Sequence, residues 1–186
     1  MHCLHQIGSR FTKNQALCNE YYKFMENYLK LGHMEVIPEK EIDVPANSSF
    51  HLPHHPVPNK KGDKFCVVLD GSVKFSTDVF LNDKLMVGPQ LQTDLTTLLI
   101  RFRMQKIAMP ADIEKVFRQI VLKNLDFQRV VFYGSPFKPI QDFRLTRIAY
   151  DNASASYIAM KYLQQLAIQE AQPFHWLLKH FSNTFM

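Results

Sequence analysis

The stretch "RVVFYGSPFKPIQDFRLTRIAYDNASASYIAMKYLQQLAIQEA" (Arg129–Ala171) decides the fold class. "RVVFY" and "FRLTRIAY" are runs rich in β-branched and aromatic residues and predict strands. The turn-rich "GSPFKPIQD" lies between them and interrupts pairing with Gly and Pro. The period then changes. In "ASASYIAMKYLQQLAIQEA", Ile158, Tyr162 and Leu166 recur on one side of a helix, with Ser154 or Ser156 available as its cap. Neighbouring strands followed by a helix, with no internal repeat, imply an α+β fold: an antiparallel-rich sheet with helices packed on one face.

Upstream, "NQALCNEYYKFMENYLKLGHM" sets Leu17, Tyr21, Met25, Tyr28 and Leu29 on one helical face, with Gly32 where a C-terminal cap belongs. "EVIPEKEIDVPANSSFHLPHHPVPNKKGDK" holds five prolines, which predicts an extended connector without regular structure. "FCVVLDGSV" predicts a buried strand ending in a turn at Asp70-Gly71. "LQTDLTTLLIRFR" predicts a helix with Leu91, Leu95, Leu98, Leu99 and Phe102 on one stripe. Its arginines sit near the C-terminal end, where they complement the helix dipole. "KIAM" (Lys106–Met109) predicts a short strand leading into Asp112.

The chain has 186 residues, 46% hydrophobic and 21% charged, which is globular rather than disordered composition. No run approaches the roughly 18 apolar residues of a membrane span, and "MHCLHQIGSRF" lacks the apolar core of a signal peptide. An intracellular location, cytoplasmic or nuclear, is therefore expected, without membrane partners. Cys3, Cys18 and Cys66 are odd in number and widely spaced, which fits reduced thiols. The net charge of +5 is uneven: residues 99–130 hold 7 Lys and Arg against 3 Asp and Glu, whereas residues 1–98 are nearly balanced. A basic field beginning at Arg101 and Arg103 suits a polyanionic partner such as nucleic acid, and equally a solvated basic face.

The histidines of "HLPHHPV" (His51, His54, His55) and of "HCLH" (His2, His5, with Cys3) match no standard zinc-ligand spacing, so residues packed against the domain or left exposed are expected instead. No G-x-S-x-G motif supports a serine hydrolase. Asp112, in "MPADIEKVFRQIVL", is a carboxylate between a candidate strand and an amphipathic run. Such an acid can hold a hard cation beside a backbone carbonyl, or it can cap the following helix.

"LPHHPV", "KFCVVLDGSVK", "LNDKLMVGPQLQTDL", "LLIRFRMQKIAMPADIEKVFRQI", "DFQRVVFY" and "PIQDFRLTRIAYDNASASYIAMKYLQQLA" resemble, in order, segments of BEL/Pao-type retrotransposon polyproteins, in the N-terminal half of their reverse transcriptase. The likeness runs from about Asn14 onward. It implies the fingers and palm of a right-hand polymerase: a helical lead-in over 1–47, a fingers-like segment over 48–104 and an incomplete palm-like segment over 105–186. It implies an RNA-directed DNA polymerase, with a template-primer, a deoxynucleoside triphosphate and Mg²⁺ as partners. Asp112 would be the catalytic, metal-binding aspartate, and the carbonyl of Ile113 a further metal ligand. Phe117 would exclude the ribose 2′-OH by steric clash, and Tyr150 would lie against the incoming nucleotide. Arg101 and Arg103 are candidate nucleic-acid contacts.

The sequence departs from that family in places. Cys66 stands where the family has an Arg for the triphosphate, Asp151 replaces a Gly, and Pro110 replaces a Thr. The chain is expected to stop before the hairpin that bears the paired aspartates. A catalytically incomplete fragment is the leading expectation. A non-catalytic nucleic-acid-binding remnant and an inert interaction-only remnant are the alternatives.

Overall fold

The computed structural model describes residues 2–45, 48–59, 65–73, 79–123, 126–133 and 139–169. In chain order these form α1 (His2–Lys13), α2 (Gln15–Lys30), β1 (Met34–Val36), β2 (His54–Pro58), β3 (Phe65–Leu69), α3 (Leu81–Lys84), α4 (Leu95–Met104), α5 (Val116–Gln119), β4 (Arg129–Tyr133), β5 (Ile140–Leu145) and α6 (Ala155–Gln169). The fold is α+β, with two small antiparallel sheets in place of the single sheet expected: β1-β5-β4 and β2-β3.

The α2 helix follows its sequence pattern. The Asn14 side chain accepts the Leu17 amide at 3.0 Å and caps the first turn. At the other end, Gly32 takes φ +65, Gly32 N–H donates to Leu29 O at 3.0 Å and His33 N–H donates to Tyr28 O at 2.9 Å. Those two bonds make a Schellman motif, which needs a left-handed residue that glycine adopts without strain. Leu17, Tyr21, Met25 and Tyr28 are buried. Tyr21, Met25 and Tyr28 share one core with Val67 and Leu69 of β3, Val130 and Phe132 of β4, and Phe143 and Leu145 of β5. The Phe132 and Phe143 rings lie 4.4 Å apart, as facing aromatics on neighbouring strands do.

The proline-rich connector is not structureless. It contains β1 and β2, and β2 carries Pro56 and Pro58 within the strand. Asp70 N–H donates to Pro53 O at 2.8 Å, so in this register Pro53 accepts from Asp70, and residues 55 and 57 face β3 with both backbone groups. The nitrogens of Pro56 and Pro58 then point away from β3, and no ladder bond is lost. Two of its histidines make structural contacts. Buried His54 bonds Tyr21 Oη through Nε2 at 2.6 Å, and His51 bonds Asp142 at 2.8 Å. The side chains of His2, Cys3 and His5 lie outside the described residues.

Other expectations require correction. Lys106–Met109 is coil rather than strand, with Ile107 and Met109 exposed, because no described strand lies alongside to pair with it. Strand β5 begins at Ile140, inside the stretch expected to be a turn. Helix α4 forms, capped by Asp94 Oδ2 accepting the Thr97 amide at 2.9 Å. It buries none of its residues, however, and Leu95, Leu99 and Phe102 are exposed. Helix α6 does not pack through Tyr162 and Leu166, which are exposed. Its buried residues are Ala155 and Ala159, which join Ile120 and Ile148 in a second, smaller core against Val116, Phe117 and half-buried Ile158.

Basic residues 99–130 are not all available to a partner. Arg129 is 1% exposed in its side chain and donates to Asp126 at 2.9 Å, to Ile42 O at 2.8 Å and to Glu41 O at 2.7 Å. It stitches β4 to the segment after β1 and takes no part in a surface field.

Candidate functional site

The register of β1 against β5 pairs Met34 with Leu145 and so brings the residues flanking both strands together. Thr146 N–H donates to His33 O at 3.0 Å, and Thr146 Oγ1 donates to Gly32 O at 2.6 Å. The chain after α5 joins the same seam: Leu122 N–H donates to Thr146 O at 3.0 Å, and Val121 bridges Arg147. Helix α5 is thereby hung beside the end of β5. Lys115, just before it, has φ 52 and ψ 41, a left-handed conformation that costs a non-glycine residue about 1–2 kcal/mol. This bend turns Phe117 and Arg118 inward.

The result is a cavity of about 190 Å³. Tyr28, Phe117 and Tyr150 are its aromatic lining, and Leu69, Leu145 and Ile148 are apolar lining. Lys115, Arg118, Arg147 and His33 add a basic lining, and among the described residues no Asp or Glu lines it. The Arg118 guanidinium sits 5.0 Å from the Tyr28 ring centroid, a cation–π distance. The His33 ring meets Tyr28 edge-on at 5.4 Å. Burial pushes the Tyr28 hydroxyl pKa up, against an opposing pull from Arg118. Burial also lowers the His33 pKa, and the charges of Arg118, Arg147 and Lys115 lower it further.

Tyr150 is held by the loop that carries it. Gln128 Oε1 accepts the Ala149 amide at 2.9 Å and Asn152 Nδ2 at 2.8 Å. Asn82 Oδ1 accepts the Ala153 amide at 2.8 Å, and Asn82 Nδ2 donates to Asp151 O at 3.1 Å. Burial raises the Tyr150 pKa, with smaller contributions from Cys66, Asp151 and Tyr28 and an opposing backbone hydrogen bond at Leu69. The Asp151 carboxylate accepts the Gly71 amide at 3.1 Å and is not among the lining residues.

The residues singled out in the sequence separate into groups. Phe117 and Tyr150 line this cavity together. Asp112 and Ile113 are exposed in the coil before α5 and do not line it; the residue capping α5 is Lys115, not Asp112. Arg101 and Arg103 are exposed in the last turn of α4. Cys66 is exposed on β3. Among the described residues, no three His, Cys, Asp or Glu side chains converge as a metal site. Asp112 with one carbonyl is an incomplete set for two divalent cations, and no metal-dependent step is assigned to it.

Tyr28, His33, Arg118 and Arg147 were not anticipated as site residues. Only the β1–β5 register and the seam to Val121 bring them together, and no local motif encodes either. Among the described residues, no helix is long and apolar enough to cross a membrane. No family model and no curated protein sequence matches the chain.

Proposed function

We propose that the chain is part of a BEL/Pao-type retrotransposon RNA-directed DNA polymerase, with the cavity lined by Phe117 and Tyr150 as its nucleotide site. One observation carries this reading. Phe117 and Tyr150, the two residues that the family resemblance implies at the nucleotide, line one cavity although they belong to different parts of the fold. Aromatic faces suit a base or a sugar ring. The enzyme would act in the cytoplasm or nucleus on a template-primer.

The described residues favour binding over chemistry. The carboxylate set is incomplete, and the Cys66 thiol cannot replace the bidentate cationic donor that grips a triphosphate. A second reading, a nucleic-acid-binding remnant without catalysis, is favoured by exposed Arg101, Arg103 and Lys106 at the end of α4.

Equilibrium binding tests the nucleotide site without requiring turnover. A deoxynucleoside triphosphate is expected to bind more tightly than its ribonucleotide, and Phe117→Ala should erase the difference. Equal binding of both by the unaltered chain would refute the site. Primer extension with Mg²⁺ or Mn²⁺ is expected to be absent, and measurable extension would overturn the reading of an incomplete centre.

A further inference from the structure

The basic residues among the cavity lining are more than the proposed nucleotide site requires for a ring. Arg118 and Lys115 reach it from α5 and the bend before it, Arg147 from beyond β5, and His33 from the turn after α2. Arg147 Nε and His33 Nδ1 (a donor in one tautomer) are buried and find no hydrogen-bond partner among the described residues. A buried donor left unpaired costs about 1–3 kcal/mol, and more in a charged group. Glu114 pairs with Lys115 at the edge of the cluster, 2.6 Å from Lys115 Nζ. Both side chains are largely exposed, so that pair neutralises the cavity little.

We propose that this basic wall seats a phosphate group, held by Arg147 and Arg118 with Lys115 at the rim and His33 Nδ1 behind. Three cations facing a partly enclosed space, with no carboxylate among the described lining residues, are best balanced by a multiply charged anion. A guanidinium fork matches phosphate oxygens in a way that a single ammonium does not. Size points the same way. The cavity is smaller than the ~300 Å³ at which pockets for whole organic ligands begin, so it encloses one moiety of a larger molecule. The proposal rests on the nucleotide reading only for what the phosphate is attached to.

Calorimetric titration of the whole chain with inorganic pyrophosphate, and separately with a deoxynucleoside triphosphate, tests both halves. Pyrophosphate is expected to bind, and Arg147→Gln and Arg118→Gln should each weaken it about tenfold, as losing one charge-assisted hydrogen bond does. Lys115→Gln alters an exposed side chain that the fold does not need, and it should weaken pyrophosphate severalfold even if the arginine variants fail to fold. Absence of pyrophosphate binding, or binding untouched by Lys115→Gln, overturns the phosphate site. Pyrophosphate bound as tightly as the triphosphate keeps the phosphate site and removes the nucleotide reading of Phe117 and Tyr150.

Discussion

In α2, the apolar residues at helical spacing are buried against both sheets; in α4, a comparably regular set of Leu and Phe remains open. Both helices have an N-cap with a side-chain oxygen bonded to the third residue beyond it. Local signals therefore do not separate them. What differs is the partner. The long-range ladders β1–β5 and β2–β3 assemble a surface for Tyr21, Met25 and Tyr28, whereas no described element covers the stripe on α4. Most helical stability in proteins comes from such packing rather than from propensity. The segment from α4 to α5 is accordingly expected to open at a lower free energy than the α2–sheet unit.

The sharpest contrast is a pair of aromatic truncations. Phe143→Ala, in the buried core, should cost about 3–5 kcal/mol, while Phe102→Ala on α4 should stay within about 0.5 kcal/mol. Urea unfolding measures both, and similar losses for the two would break the comparison.

Acid should attack the α2–sheet unit selectively. His54 is buried, and its pKa is pushed down to about 4 from 6.5, chiefly by burial. It is therefore neutral at pH 7; with one ring nitrogen bonded to the Leu52 backbone, the other accepts the Tyr21 hydroxyl. The unfolded chain binds the proton first, so stability is intact above pH 6.5 and falls as pH drops toward 4. The loss is roughly 3 kcal/mol over that window. Unfolding midpoints measured between pH 7 and 4 should show this slope, and His54→Asn should flatten it.

Lys115 marks the boundary between the two regions. Lys115→Gly should raise stability by about 1 kcal/mol by relieving the left-handed backbone, yet weaken anion binding. A thermal melt paired with the pyrophosphate titration would show both signs, and a drop in stability would contradict the bend as described.

The smallest expected effect on folding is at the α4 arginines. Arg101→Ala and Arg103→Ala should leave the unfolding midpoint unchanged. Each should reduce the salt slope of nucleic-acid binding by about 1 if it touches phosphate. Binding indifferent to salt would point to a protein partner.

The sequence was most legible where a pattern and its partner lay close together. Helix α2, its glycine cap, β3 with its Asp70-Gly71 turn, β4 and α6 all appear near the positions that periodicity assigns them. It was least legible where pairing is remote. Strand β2 was hidden by Pro56 and Pro58, because a local reading cannot tell an outward-facing nitrogen from an inward-facing one. Lys106–Met109 has the composition of a strand but no neighbour. The helix over Ala155–Gln169 shows apolar periodicity at Ile158, Tyr162 and Leu166, but its close approach to α5 is made by the small residues Ala155 and Ala159. For the site, the sequence offered Phe117 and Tyr150. The basic wall depends on a register between residues more than a hundred positions apart, Met34 and Leu145.

The outward rim of β2 bears on how copies of this molecule meet. Pro56 is buried there, and at exposed Pro58 the rim offers a carbonyl acceptor without the N–H donor that should accompany it. A strand from another chain approaching there would meet a buried position at Pro56 and leave its own carbonyl unmatched at Pro58. Edge-to-edge growth of this sheet, the route by which exposed strands recruit further chains into fibrils, is blocked on the proline flank.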